Sequence, residues 1–113
     1  MSAIDAAIFA ELKETTGADF VAELVDTFLE DAPKLLAALH EATASGDAGA
    51  FRRAAHSLKS NGNTFGAAAL AGLARDLEHR GLDAVGGDGP ALLAQVEQAY
   101  SEAATLLRSL VDA

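Results

Sequence analysis

The fold class predicted for this 113-residue chain is all-α: an antiparallel up-down four-helix bundle with a short additional helix at the N terminus. Three observations predict it. The apolar content is 27 Ala and 16 Leu against 5 Val and 2 Ile, which favours helix over strand. Apolar residues recur at three- and four-residue spacing through every segment. The breaks between segments are short, and short connections between long helices force antiparallel neighbours. At this length the chain makes one domain, residues 1–113, and with 50% hydrophobic residues it carries enough apolar side chain for a core, which excludes a disordered chain.

Taken in order, Ile4, Ile8 and Leu12 recur every four residues and predict a short first helix from about Ser2 to Thr15, with Ser2 as its N-cap. A second helix is expected from Ala18 to Ala44, burying Val21, Val25, Phe28, Leu29, Leu35, Leu36 and Leu39. Pro33 lies inside it and predicts a kink or split near Asp31. Asp47 is placed to cap a third helix running to about Asn61, and a fourth spans Ala67 to Arg80 on Leu70, Leu73 and Leu77. The Gly86 to Pro90 cluster reads as the next loop, with Pro90 starting a last helix whose stripe runs from Leu92 through Val96, Tyr100 and Leu107 to Leu110.

Charge narrows the function. A net charge of -9 weighs against a nucleic-acid partner, which needs positive potential. The charge is segregated, however: Arg52, Arg53, Lys59, Arg75 and Arg80 crowd a stretch holding only Asp76 and Glu78 as acids. Such a basic strip on an acidic body suits a small acidic or phosphorylated partner, although chance clustering on a solvated face produces the same pattern. Absence of Cys removes disulfides, thiolate metal sites and thiol nucleophiles. Met1 is followed by no apolar run of signal-peptide or membrane-span length, so a cytoplasmic protein without membrane contact is expected.

On the third helix Phe51, Ala55 and Leu58 share the core face, and Arg52, His56, Lys59 and Asn63 follow at offsets of four, three and four as a polar stripe beside it. A histidine on a basic ridge has a physical use. Neutral imidazole is a nucleophile near physiological pH, and an ammonium one turn away can offset charge on a phosphoryl group, a reaction that needs mainly positioning and electrostatics. A surface His with a Lys nearby by accident is the bland alternative.

The run Ala55-His56-Ser57-Leu58-Lys59-Ser60, with Phe65-Gly66 after it, resembles the signature of histidine phosphotransfer (HPt) domains. Leu77-Glu78 and the stretch Phe28-Leu29-Glu30-Asp31-Ala32-Pro33 are similar to further parts of the family pattern, so the likeness spans nearly the whole chain. It implies that His56 accepts and donates the phosphoryl group, that Lys59 stabilises the phosphoryl charge, and that Glu78 orients the imidazole. It also implies a docking face of Arg52, Ser60, Asn63 and Gly66, with Gly66 opening the next helix and Phe65 anchoring the turn. Ser60 departs from the family, which usually has Gly there. The implied function is relay of a phosphoryl group between receiver-domain aspartates. Partners would be response-regulator receivers and a hybrid sensor histidine kinase. The protein would be a monomeric carrier without kinase activity and without a cofactor of its own, the Mg²⁺ coming from the receiver. The alternative is a bundle that binds partners without carrying phosphate.

Other candidates fail on their own terms. His40 and His79 are expected near helix C-termini, where the dipole favours a cation. A di-iron carboxylate bundle needs two Glu-x-x-His repeats, and the chain offers only Asp76-Leu77-Glu78-His79. An acyl carrier would need Asp-Ser-Leu where His56-Ser57-Leu58 stands. The Gly86 to Gly89 cluster lacks the Lys-Ser/Thr of a phosphate loop and follows no strand.

Overall fold

The computed structural model describes residues 3–112, without the side chains of residues 83–90. Its elements are α1 (Ala6–Thr16), α2 (Ala18–Ser45), α3 (Ala48–Thr64) and a helical stretch Ala68–Asp112. Gly81 divides that stretch into α4 (residues 68–80) and α5 (residues 82–112), its φ of 73° and ψ of -178° being far from helical. A straight helix of 45 residues would be about 67 Å long. The whole molecule measures only 41 × 25 × 19 Å, so the chain folds back.

Neighbouring helices run antiparallel, as their cross-contacts show. His56 meets Glu78 while Gly62 packs on Ala71, so α4 descends as α3 ascends. Between α2 and α5, His40 Nε2 lies 2.7 Å from Glu97 while Phe28 meets the Tyr100 ring at 5.6 Å between centroids. The core between these helices is built on Phe51, Leu39, Leu58, Leu70, Leu77, Val96 and Leu107, each at most 1% exposed.

Several boundaries differ from the sequence reading for identifiable reasons. Helix α1 begins at Ala6, because the Asp5 carboxylate accepts from the Ala7 and Ile8 amides at 2.9 and 3.3 Å; Ser2, the expected cap, lies outside the described residues. With Ile4 ahead of the helix the expected phase is lost, so Phe9 is buried and Ile8 is 41% exposed. Pro33 does not split α2. A proline at 33 cannot donate to the Leu29 carbonyl, and the Tyr100 hydroxyl approaches that oxygen from α5 at 3.5 Å, a weak substitute for the missing bond.

Asp47 caps α3 as expected, accepting from the Ala50 amide at 3.0 Å. The helix runs on to Thr64, three residues past the anticipated end. Gly62, beyond the expected helix end, is buried there: a Cβ on it would stand 3.2 Å from the Ala71 nitrogen, so any larger residue would push α4 away. Phe65 then enters the core, its ring 5.2 Å from that of Phe28. The turn from α4 to α5 comes at Gly81; the Gly86 to Pro90 cluster, expected as that loop with Pro90 starting the last helix, instead has its backbone inside α5, because the glycine with a positive φ that breaks the helix is Gly81.

Candidate functional site

Helix α3 turns Phe51, Ala54, Ala55, Leu58 and Gly62 into the core. The same rotation leaves Arg52, His56, Ser60 and Asn63 exposed along its outer edge, with Lys59 half-buried where α3 meets α4. The His56 side chain is 57% exposed. On the facing turn of α4, Leu77 is buried, and its neighbour Glu78 is brought to the rim of the seam with 17% of its side chain exposed.

Glu78 is the hub. Its Oε2 lies 2.6 Å from His56 Nδ1, and its Oε1 accepts from the Lys59 ammonium at 2.7 Å. The hydrogen bond from Lys59, ahead of that from His56 and the charge of both partners, holds the Glu78 carboxyl below its ordinary range against the opposing effect of partial desolvation. The group is therefore a carboxylate at neutral pH. An ionised carboxylate only accepts, so Nδ1 is the protonated nitrogen and, in the neutral ring, Nε2 carries the lone pair. A 2.6 Å contact to a charged acceptor fixes the ring plane as well as the tautomer.

The sequence-predicted residues thus divide. His56, Lys59 and Glu78 come together in one hydrogen-bonded unit. Arg52, Ser60 and Asn63 share the exposed edge with His56. Gly66 does not join them. It is buried at the α3–α4 turn, its carbonyl accepts from the Asp5 amide at 2.8 Å, and the ideal Cβ position on it lies 3.0 Å from the Ile8 Cβ. It is excluded from a docking face because the segment leading into α1 covers it.

Two residues of the site were given no site role in the sequence: Arg53, counted only in the basic stretch, and Ser57, quoted only in the signature, line a cleft with Gly49, Arg52, His56 and Glu78. Arg53 stands four positions after Gly49, and that spacing was the available signal: the guanidinium lies back over the glycine, Nη1 being 3.3 Å from where a Cβ would be. His40, half-exposed, pairs with Glu97 instead of serving only a helix end. Among the described residues no group of three or more His, Asp or Glu could hold a metal ion, and no helix is long and apolar enough to cross a membrane.

A nucleophile in a fixed tautomer, on a rigid helix and open to water, is equipped to take a group from another protein. The family model for the Hpt domain matches residues 23–105, a span that contains His56, Lys59 and Glu78. The crystal structure of histidine-containing phosphotransfer protein B (HptB) from Pseudomonas aeruginosa PAO1 superposes with a TM-score of 0.88 at 33% sequence identity, over 97% of this chain and 95% of that one. A search of curated proteins finds no match. With its helical bundle and the family match over most of its length, the chain belongs to the histidine phosphotransfer (Hpt) family and is a histidine phosphotransfer protein of a phosphorelay.

Proposed function

We propose that His56 is the residue that carries the phosphoryl group, taking it from an aspartyl phosphate on one receiver domain and passing it to an aspartate on another. The Nε2 lone pair attacks phosphorus; the N–P bond forms as the P–O bond to the aspartate breaks, and the carboxylate leaves with the electron pair. Nδ1 keeps its proton, so the phosphorylated ring is an imidazolium, and its charge faces the Glu78 carboxylate 2.6 Å away. Donation is the reverse sequence. Lys59 supplies positive charge near the equatorial oxygens, and it must share its ammonium between them and Glu78.

The protein acts as a carrier without kinase activity. Mg²⁺ for each half-reaction is supplied by the receiver, and a hybrid sensor histidine kinase provides the first of these domains. The exposed edge of Arg52, Ser60 and Asn63 around His56 forms the docking face, and the carrier works as a cytoplasmic monomer. The observation carrying this reading is the half-exposed imidazole whose Nδ1 is held by Glu78.

The test is incubation with phosphorylated receiver domains. Phosphate on this protein should be acid-labile and alkali-stable, and His56→Gln should abolish it while leaving the helical circular dichroism unchanged. Labelling that survives His56→Gln would sink the assignment.

A further inference from the structure

The cleft beside His56 has chemistry that a nucleophile and its orienting carboxylate do not require. It lies at the seam between the first half of α3 and the end of α4, and two of its six lining residues are arginines, Arg52 and Arg53. The chain has 17 acidic side chains, yet among the described residues neither arginine forms an ion pair. Among the described lining residues the carboxylate is Glu78, already occupied by Lys59 and His56. Two guanidinium groups thus stand among the described lining residues of a protein whose net charge is -9, with the Asp47 carboxylate, an N-cap acceptor, 3.6 Å from the Cβ position of Gly49 at the edge.

Both guanidinium groups are laid against glycines. The Arg53 Nη1 is 3.3 Å from the Cβ position of Gly49 on its own helix, and the Arg52 Nη2 is 3.2 Å from that of Gly81 at the α4–α5 turn. The missing Cβ atoms leave room for each long side chain to lie along the surface, Gly49 being itself part of the cleft lining. A guanidinium presents several N–H donors in a planar fork that matches the oxygens of a phosphate group. The hydroxyl of Ser57 adds a donor on the same lining.

We propose that this cleft is an oxyanion subsite, binding a phosphate dianion through Arg52 and Arg53 beside the imidazole. Its purpose rests on the relay reading above: the subsite would hold phosphoryl oxygens on the side of His56 away from Lys59. Binding itself does not depend on that reading. The same groups would also donate to a carboxylate of a docking partner, so the experiment separates the two.

The probe is inorganic phosphate, titrated at fixed pH and ionic strength against ¹⁵N-labelled protein, with the arginine Nε–Hε and His56 ring signals followed by NMR. Saturable shifts are expected at Arg52, Arg53 and His56, with acetate giving a weaker response at equal concentration. Replacing both residues (Arg52→Gln with Arg53→Gln) should raise the phosphate Kd by about tenfold or more, because charge-assisted hydrogen bonds are lost. Arg108→Gln removes a charge on α5 outside the cleft and should leave the Kd unchanged. Shifts that never saturate, that fall equally in Arg108→Gln, or that acetate reproduces would overturn the subsite. If phosphate fails to bind but His56 still accepts a phosphoryl group from a receiver, only the subsite is lost; if His56 accepts nothing, the relay assignment falls whatever the cleft binds.

Discussion

At the scale of single residues, the Glu78 carboxylate serves two donors, and separate substitutions can divide its roles. Lys59→Ala is expected to slow phosphoryl transfer by roughly ten- to a hundredfold, about 1.4 to 2.7 kcal/mol of transition-state stabilisation, read from single-turnover rates. An unchanged rate would remove the ammonium from the chemistry. Glu78 also confers pH dependence on stability. Its carboxyl is held below the ordinary 4.5 by Lys59 first and His56 second. A lowered folded-state pKa contributes stability that is present above the unfolded value and lost as pH falls through the folded one. Urea midpoints of wild type and Glu78→Gln should therefore differ at neutral pH and converge on acidification below 4.5. A gap that stays constant down to strongly acidic pH would show that the pair contributes no linked stability.

These residues were legible unequally. The core phase of Phe51, Ala55 and Leu58 was enough to put His56 on the outside, because a helix fixes the angle between neighbours. The contact to Glu78 was not available in that way. It depends on how two helices separated by a turn are set against each other, so it entered as a family expectation. Gly66 was misplaced for a related reason: its burial is caused by Asp5 and Ile8, some sixty positions upstream, and no local pattern reports that.

At the scale of elements, the site depends on the register between α3 and α4. Arg52 faces Gly81, His56 faces Glu78 and Gly62 faces Ala71, so each step along α3 is matched by a reverse step along α4. Gly62 fixes the distance of this seam. Gly62→Ala would set a Cβ 3.2 Å from the Ala71 nitrogen and 3.4 Å from the Ala67 oxygen, and backbone atoms cannot rotate away. Overpacking should outweigh the gain in helix propensity and cost about 1 to 2 kcal/mol. Chemical denaturation would measure the loss, and transfer should slow as Glu78 is displaced from His56. At Gly81 the backbone conformation is close to one reserved for glycine. Gly81→Ala should therefore lower stability by about 1 to 3 kcal/mol, again visible as an earlier denaturation midpoint. Breaks in helices were harder to locate from sequence than faces. The chain holds 10 glycines, and neither Gly62 inside α3 nor Gly81 at the true turn differs in local composition from those that merely permit a loop.

For the molecule as a whole, the separation of charge is the feature that reaches furthest into solution. Most acids lie outside the stretch from Arg52 to Arg80, so the two helices that carry His56 and Glu78 contrast in charge with the rest of the chain. If the partner presents an acidic face, association should be steered by that contrast. Raising ionic strength from low to several hundred millimolar is expected to lower the second-order transfer rate by about tenfold, with the first-order rate in the complex little changed. Equal rates at both salt concentrations would mean that shape alone brings the partners together.

Tyr100 gives the protein a built-in reporter. It is the sole tyrosine in a chain without tryptophan, it lies edge-on to Phe28, and burial pushes its phenol above the ordinary range. Near-ultraviolet absorbance and alkaline titration therefore read a single position where α2 and α5 meet. Because that chromophore is on neither helix of the seam that holds His56, loosening of the scaffold can be followed optically in the same cuvette in which isotope or gel assays follow the chemistry.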